Sequence, residues 1–214
     1  MRPAGGRDAI RPPGAWSIRA LDLMIAVPAT LLTAPAVGIL SLLIRLESPG
    51  PAIYRQTRIG KDGAPFSIYK LRTMVKDAEF IGAGLAIQQG DDRITRLGTW
   101  LRRYSLDELP NLWNVVRGEM SIVGPRPTIA IQVQQYTERQ LGRLCVRPGI
   151  TGWAQVNGRA SLPWPERIEL DLWYVEHRSL ALDLRILLAT VGMVLGGKGL
   201  YKGESGGWHP PSAT

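Results

Sequence analysis

The run from Leu23 to Ile44 carries no charged residue and is long enough to cross a bilayer core, so a membrane constrains this chain before anything else does. Its details argue against a straight span. Pro28 and Pro35 interrupt the run, and each proline removes a backbone hydrogen bond and kinks the helix that contains it. Basic residues stand on both sides: Arg2, Arg7, Arg11 and Arg19 before the run, and Arg45, Arg55, Arg58 and Lys61 after it. Such residues favour the cytoplasmic side, so both ends call for the same face. A helix that enters one leaflet, bends near Pro35 and returns meets that demand, with Thr30 and Thr33 placed to bond the carbonyls the prolines free. The apolar core is too long for a signal peptide, and no small-residue cleavage site follows it.

The remaining composition narrows the partners. A chain of 214 residues makes one domain of ordinary size with an appended element. Its net charge of +8 calls for an anionic partner: nucleic acid, an acidic membrane surface or a phosphorylated substrate. The single cysteine, Cys145, excludes an internal disulfide, and its apolar neighbours read as a buried structural thiol. With only His177 and His209 to supply imidazole, the composition disfavours a His/Cys zinc site, and any metal would be a hard cation on carboxylates. Seven tryptophans against two phenylalanines suit a membrane interface, although core packing accounts for such a count equally well.

Along the chain, residues 1–17 read as a disordered basic tail and 18–47 as the membrane helix. The turn ESPGP at 47–51 opens the soluble part. Ala52–Ile59 and Pro65–Met74 read as short strands about a Lys61–Gly63 turn, a hairpin. On the second strand Lys70 and Arg72 share a face and could grip a diphosphate; a solvated edge would look the same. Arg96–Arg103 is a short basic helix. Gly124-Pro125-Arg126-Pro127 is either a rigid turn or a preorganised phosphate clamp. The stretch RPGITGWAQVNGR at 147–159 reads as a binding loop or a plain connection. Pro165–His177 is a helix, and Asp183–Leu195 is a core helix or one lying in the membrane interface. Residues 196–214 form a loose tail, and there is no internal repeat.

The chemistry concentrates between Ser105 and Pro127, where Asp107 and Glu108 sit side by side with Arg102 and Arg103 upstream and Arg117 and Arg126 downstream. Adjacent acids repel unless something uses their charge. Ser105 to Glu108 also matches an S-x-x-E capping box, with acids as ordinary dipole complements in a first helical turn. Pro110 favours a helix that begins near Asp107, whose carboxylate would then be held ionised at a helix N-terminus for nucleophilic attack or metal ligation. Capping and catalysis are compatible here.

An ordered series of motifs resembles the bacterial sugar transferases, small monotopic phosphoglycosyl transferases. The series is RALDL before a proline-broken apolar helix, ESPGP, RIGKDGAPFSIYKLRTM, DDRITRLGTWLRRYSLDELPNLWNVVRGEMSIVGPRP, RPGITGWAQVNGR and ELDLWYV. Relatives often carry serine before the bending proline where this chain has Ala34-Pro35, and Thr33 or Thr30 would substitute. The chain should correspond to the minimal catalytic form, without the large N-terminal membrane region of longer relatives.

The resemblance implies a helix-rich α+β fold: a re-entrant N-terminal membrane helix plus a compact cytoplasmic catalytic domain over 48–195, with a small β-hairpin and interfacial amphipathic helices. It implies transfer of a sugar 1-phosphate from a nucleotide sugar, UDP by expectation, to undecaprenyl phosphate with release of UMP. In such families the aspartate of the pair attacks phosphorus and the neighbouring glutamate holds Mg²⁺; here these are Asp107 and Glu108. Lys70, Arg72, Arg126 and the Asp171 of ELDLWYV become substrate-binding residues. The expected location is the cytoplasmic face of the bacterial inner membrane, at the start of exopolysaccharide, O-antigen, capsule or glycoprotein glycan assembly. Downstream glycosyltransferases are further partners and nucleic acid is not. The alternative is a non-catalytic membrane-anchored basic module that binds anionic lipid or nucleic acid.

Overall fold

A computed structural model describes residues 15–81, 90–158 and 162–196. Arg2, Arg7, Arg11, Arg159 and His209 lie outside them, with most of both expected tails. Helix α1 (Ala15–Glu47) begins before the expected Ile18 and keeps helical backbone through both Pro28 and Pro35. The threonine hydroxyls bond carbonyls four residues upstream, Thr30 to Ala26 at 2.6 Å and Thr33 to Ala29 at 2.7 Å. Contrary to expectation, these are not the carbonyls of Met24 and Leu31 that the prolines deprive of a donor.

One stripe of α1 is buried at Ile18, Asp22, Ala26 and Ile44, at helical spacing, while Leu31, Leu32, Leu42 and Leu46 stand exposed. Polar bonds pin the stripe at both ends. Near the start, Arg19 donates to the carbonyls of Val115 and Val116 at 2.7 and 2.9 Å. Asp22 accepts from the Ser121 hydroxyl and the Ile122 amide, both at 2.8 Å. At the other end the buried Arg72 guanidinium donates to the carbonyls of Pro49, Ser48 and Ile44. It thereby ties the last turn of α1 to the two residues that follow the helix. Each such charge-assisted bond contributes about 1.5–3 kcal/mol.

Strands β1 (Ile53–Ile59) and β2 (Pro65–Leu71) form the expected antiparallel hairpin, in register from Ile53 opposite Leu71 to Ile59 opposite Pro65. Asp62 (φ 56°) and Gly63 (φ 80°) make the reversal. Helix α2 (Arg96–Arg103) has the expected bounds and is capped by the Thr95 hydroxyl. Helix α3 (Asn111–Arg117) leads into β3 (Ser121–Val123), and short helices α4 (Ala130–Val133) and α5 (Glu138–Leu141) follow.

Strand β4 (Gly149–Thr151), within the stretch read as a loop, pairs in parallel with β3. The close approach depends on glycine, since a Cβ on Gly149 would lie 2.1 Å from the Gly124 nitrogen. Helices α6 (Trp153–Val156), α7 (Trp164–His177) and α8 (Leu180–Gly196) complete the described residues.

The core gathers Val115, Met120, Ile122, Val123, Tyr174 and Ile186, with Ala26 from α1. A second cluster joins Ile44, Ala52, Leu71 and Leu101. Helix α8 sets Leu182 and Ile186 in the core but exposes Leu184, Leu188 and Val191, so it has two apolar faces. Buried Asp183 on the same helix accepts from the Tyr174 hydroxyl at 2.7 Å. Cys145 is half-buried rather than buried.

Candidate active site

The acid pair does not sit where a capped helix would put it. Ser105 adopts left-handed backbone (φ 55°), its side chain caps nothing, and Leu106–Glu108 form a single 3-10 turn. An N-cap residue needs extended backbone, so the S-x-x-E pattern is no capping box here. The α-helix starts only at Asn111, behind Pro110. Asp107 therefore lies in the turn before α3, and the helix dipole is not what governs its charge.

Burial and the neighbouring charges govern it instead. The Lys70 ammonium, projecting from β2, donates to Glu108 Oε1 at 2.6 Å, and Arg126 donates to the same oxygen at 3.0 Å. Burial alone would raise the Glu108 carboxyl, but Lys70 and Arg126 outweigh it and hold the group well below the ordinary carboxylate range. Asp107 goes the other way. Burial raises its carboxyl, and the Glu108 charge adds to that, against the attraction of Lys70, Arg102 and Arg126. Lys70 is held below its ordinary 10.5 by burial and by Arg126, despite its bond to Glu108. One carboxylate is thus locked ionised while its neighbour is left as the more basic of the two.

Arg126 owes its place to the backbone around it. The Gly124 amide donates to Thr151 at 2.8 Å, Gly149 donates to Pro125 at 2.9 Å and Ile59 donates to Thr128 at 2.8 Å. The rigidity that the turn and clamp readings of Gly124 to Pro127 share thus has a built framework. Beneath it, the buried Arg143 donates to the Arg126 carbonyl at 3.1 Å, to the Tyr136 hydroxyl and to Asp171. Asp171 lies under the site, in a buried ion pair that fixes Arg143.

The structure does not bring Arg72 to the acid pair. Strand β2 ends at Leu71, and the guanidinium turns to the C-terminus of α1 instead. A recess lined by Arg58, Ile68, Lys70, Glu108, Asn111, Arg126 and Gly149 opens beside Glu108. Sequence reasoning missed Arg58, Asn111 and Arg143 as site components. Only Arg58 had a readable signal, because a hairpin centred on Asp62 sets it on the face of Lys70.

A family model described as bacterial sugar transferase matches residues 14–197. The chain belongs to that family. Among curated relatives, this sugar transferase is 41% identical to the uncharacterized sugar transferase EpsL of Bacillus subtilis, over 86% of this chain and 90% of EpsL. It is 47% identical to the UDP-glucose:undecaprenyl-phosphate glucose-1-phosphate transferase of Caulobacter vibrioides, over 83% of this chain and 69% of that protein. It is 42% identical to the UDP-N-acetylgalactosamine-undecaprenyl-phosphate N-acetylgalactosaminephosphotransferase of Aeromonas hydrophila, over 85% of this chain but 44% of that protein.

Among the described residues no three His, Cys, Asp or Glu side chains converge as a self-sufficient metal cage. Two adjacent carboxylates of which one stays ionised are still a fitting donor set for Mg²⁺, which takes one or two carboxylates and completes its shell with water and substrate phosphates.

The raised Asp107 carboxyl yields a stability prediction for the sugar transferase. Ionising Asp107 opposes folding fully above its raised folded-state pKa, and the opposition vanishes below the ordinary 3.8. Asp107→Asn is therefore expected to melt above wild type at neutral pH, with the gain shrinking as the pH falls toward 3.8. Scanning fluorimetry in detergent across that range measures it; a lower melting temperature at neutral pH would contradict the assignment.

Proposed function

We propose that this sugar transferase moves a sugar 1-phosphate from a UDP-sugar to undecaprenyl phosphate, releasing UMP, through a phosphosugar ester on Asp107. The observation that carries this reading is the unequal acid pair: Glu108 neutralised between Lys70 and Arg126, with Asp107 beside it as the stronger base. Glucose occurs in the name of the Caulobacter relative and N-acetylgalactosamine in that of the Aeromonas relative, while UDP and undecaprenyl phosphate are common to those two names. A purely anion-binding surface would have no use for two carboxylates among its cations.

In the first step an Asp107 carboxylate oxygen attacks the β-phosphorus of the donor. The bond from that phosphorus to the bridging oxygen breaks, and its electron pair leaves on UMP. In the second step an oxygen of undecaprenyl phosphate attacks the same phosphorus, which frees the Asp107 carboxylate and yields the diphosphate-linked sugar. Lys70 and Arg126 stabilise the charge that develops on phosphoryl oxygens, which is the main task when an anion attacks a diphosphate. Glu108, with Asp107 beside it, would hold Mg²⁺, and the ion would neutralise donor phosphate charge. Arg143 and Asp171 act beneath the site, by holding the Arg126 backbone.

The membrane arrangement belongs to the same reading. Both ends of α1 are pinned to one body, by Arg19 and Asp22 at the start and by Arg72 at the close, which supports a re-entrant helix with both ends on the cytoplasmic face. Its exposed leucines would meet acyl chains, and exposed Trp16 and the outer face of α8 would meet the interface. Donor and lipid acceptor would then meet at one depth, at the lipid-linked start of polysaccharide assembly.

Wild-type protein mixed with the correct UDP-sugar and no acceptor is expected to release about one UMP per active site and stop, as covalent catalysis requires. Asp107→Asn should release none. Arg126→Ala should lose about 2–4 kcal/mol of transition-state stabilisation, read from kcat/KM. Acceptor-dependent UMP release in wild type would refute the two-step order. For topology, cysteines introduced at Trp16 and Lys61 should react with an impermeant thiol reagent only from the cytoplasmic side; labelling from opposite sides would restore a full span.

A further inference from the structure

We infer that Arg58 is a phosphate ligand of this site, holding a phosphoryl oxygen beside those that Lys70 and Arg126, each also paired with Glu108, stabilise. The inference rests on the transferase reading above and extends it to a residue that reading does not use. Three cations line the recess: Arg58, Lys70 and Arg126. Lys70 and Arg126 each form an ion pair with Glu108. Among the described residues, Arg58 alone of the three has no carboxylate in ion-pair reach. Its guanidinium meets neutral acceptors, Gln56 Oε1 at 2.5 Å and the Pro127 carbonyl at 3.4 Å, and its Nε is buried without a partner.

A guanidinium in that position is costly to the protein. Burial and the nearby Arg126 charge pull its pKa down to about 10, with Tyr54 and Glu108 only partly opposing them. A cation held in a recess beside another cation, with a donor left over, is complementary to an anion with several acceptor oxygens. Strand pairing fixes the direction: Arg58 lies opposite Phe66, two residues along the same face from Ile68 and four from Lys70. The phosphate it binds therefore lies on the Lys70 face of the hairpin, where the chemistry takes place. Two sources share that chemistry, the diphosphate of the donor and the phosphate of the lipid acceptor.

The test compares wild type, Arg58→Gln and Arg58→Lys. Calorimetric titration with UDP reports the donor arm without any turnover. KM for undecaprenyl phosphate in the complete reaction reports the acceptor arm. Arg58→Gln is expected to weaken one of the two by about tenfold or more, as for loss of a charge-assisted bond, with Arg58→Lys recovering part of it. Weakened UDP binding assigns the donor diphosphate; a raised KM for undecaprenyl phosphate with normal UDP binding assigns the acceptor. Arg58→Gln should also melt no lower than wild type, because a cation that burial and repulsion disfavour has been removed. A purely structural arginine predicts the reverse, a lower melting temperature with both affinities unchanged, and that result overturns the inference. Normal UDP binding and a normal acceptor KM in Arg58→Gln overturn it as well, and leave the transferase reading standing. A wild-type protein that does not bind UDP at all overturns that reading, and this inference with it.

Discussion

Glu108 Oε1, shared between the Lys70 ammonium at 2.6 Å and the Arg126 guanidinium at 3.0 Å, is the contact on which the site depends. It ties the hairpin, the turn before α3 and the proline-flanked segment after β3 to one atom. It also separates two carboxylates that would otherwise be equivalent. Glu108 takes the close cation contacts and stays ionised, while Asp107, desolvated and next to a permanent negative charge, becomes the better base. Adjacent acids pushed apart in this way divide their labour by environment rather than by residue type.

The same economy holds α1. An apolar helix that leaves Leu31, Leu32, Leu42 and Leu46 exposed touches the rest of the chain along one narrow stripe, and polar bonds at the ends of that stripe fix the attachment. Arg19, Asp22 and Arg72 each use backbone carbonyls, amides or a serine hydroxyl rather than another charged side chain. Such bonds are directional, and they set the helix against β3 and α3, which flank the site, and against the end of β2.

Much of this was legible in the chain. The Lys61–Gly63 turn, the hairpin, the bounds of α2 and the cation-flanked acid pair follow from local rules, because turn residues, strand alternation and capping threonine act within a few positions. What escaped was set at long range or by backbone that the pattern disguised. Ser105 looks like a cap and is left-handed; Arg72 looks like a partner of Lys70, but the strand ends beneath it and the carbonyls of Ile44, Ser48 and Pro49, at and just after the end of α1, claim it. The β3–β4 pair is three residues per strand and depends on a glycine contact between Gly124 and Gly149 that no periodicity announces. Asp171 and Arg143 are 28 residues apart, and nothing in either neighbourhood marks them as a buried pair. Arg58 differs, since its face followed from the turn centre and only its role went unread.

The central claim is that Asp107 becomes the covalent carrier of the sugar phosphate. Intact-protein mass spectrometry, after brief reaction with the competent UDP-sugar and acid quenching, tests it most directly. The account predicts a mass increase equal to one sugar phosphate, mapped to the peptide that contains Asp107 and discharged when undecaprenyl phosphate is added before the quench. An unmodified protein that still turns over, or an adduct on any other residue, would contradict it.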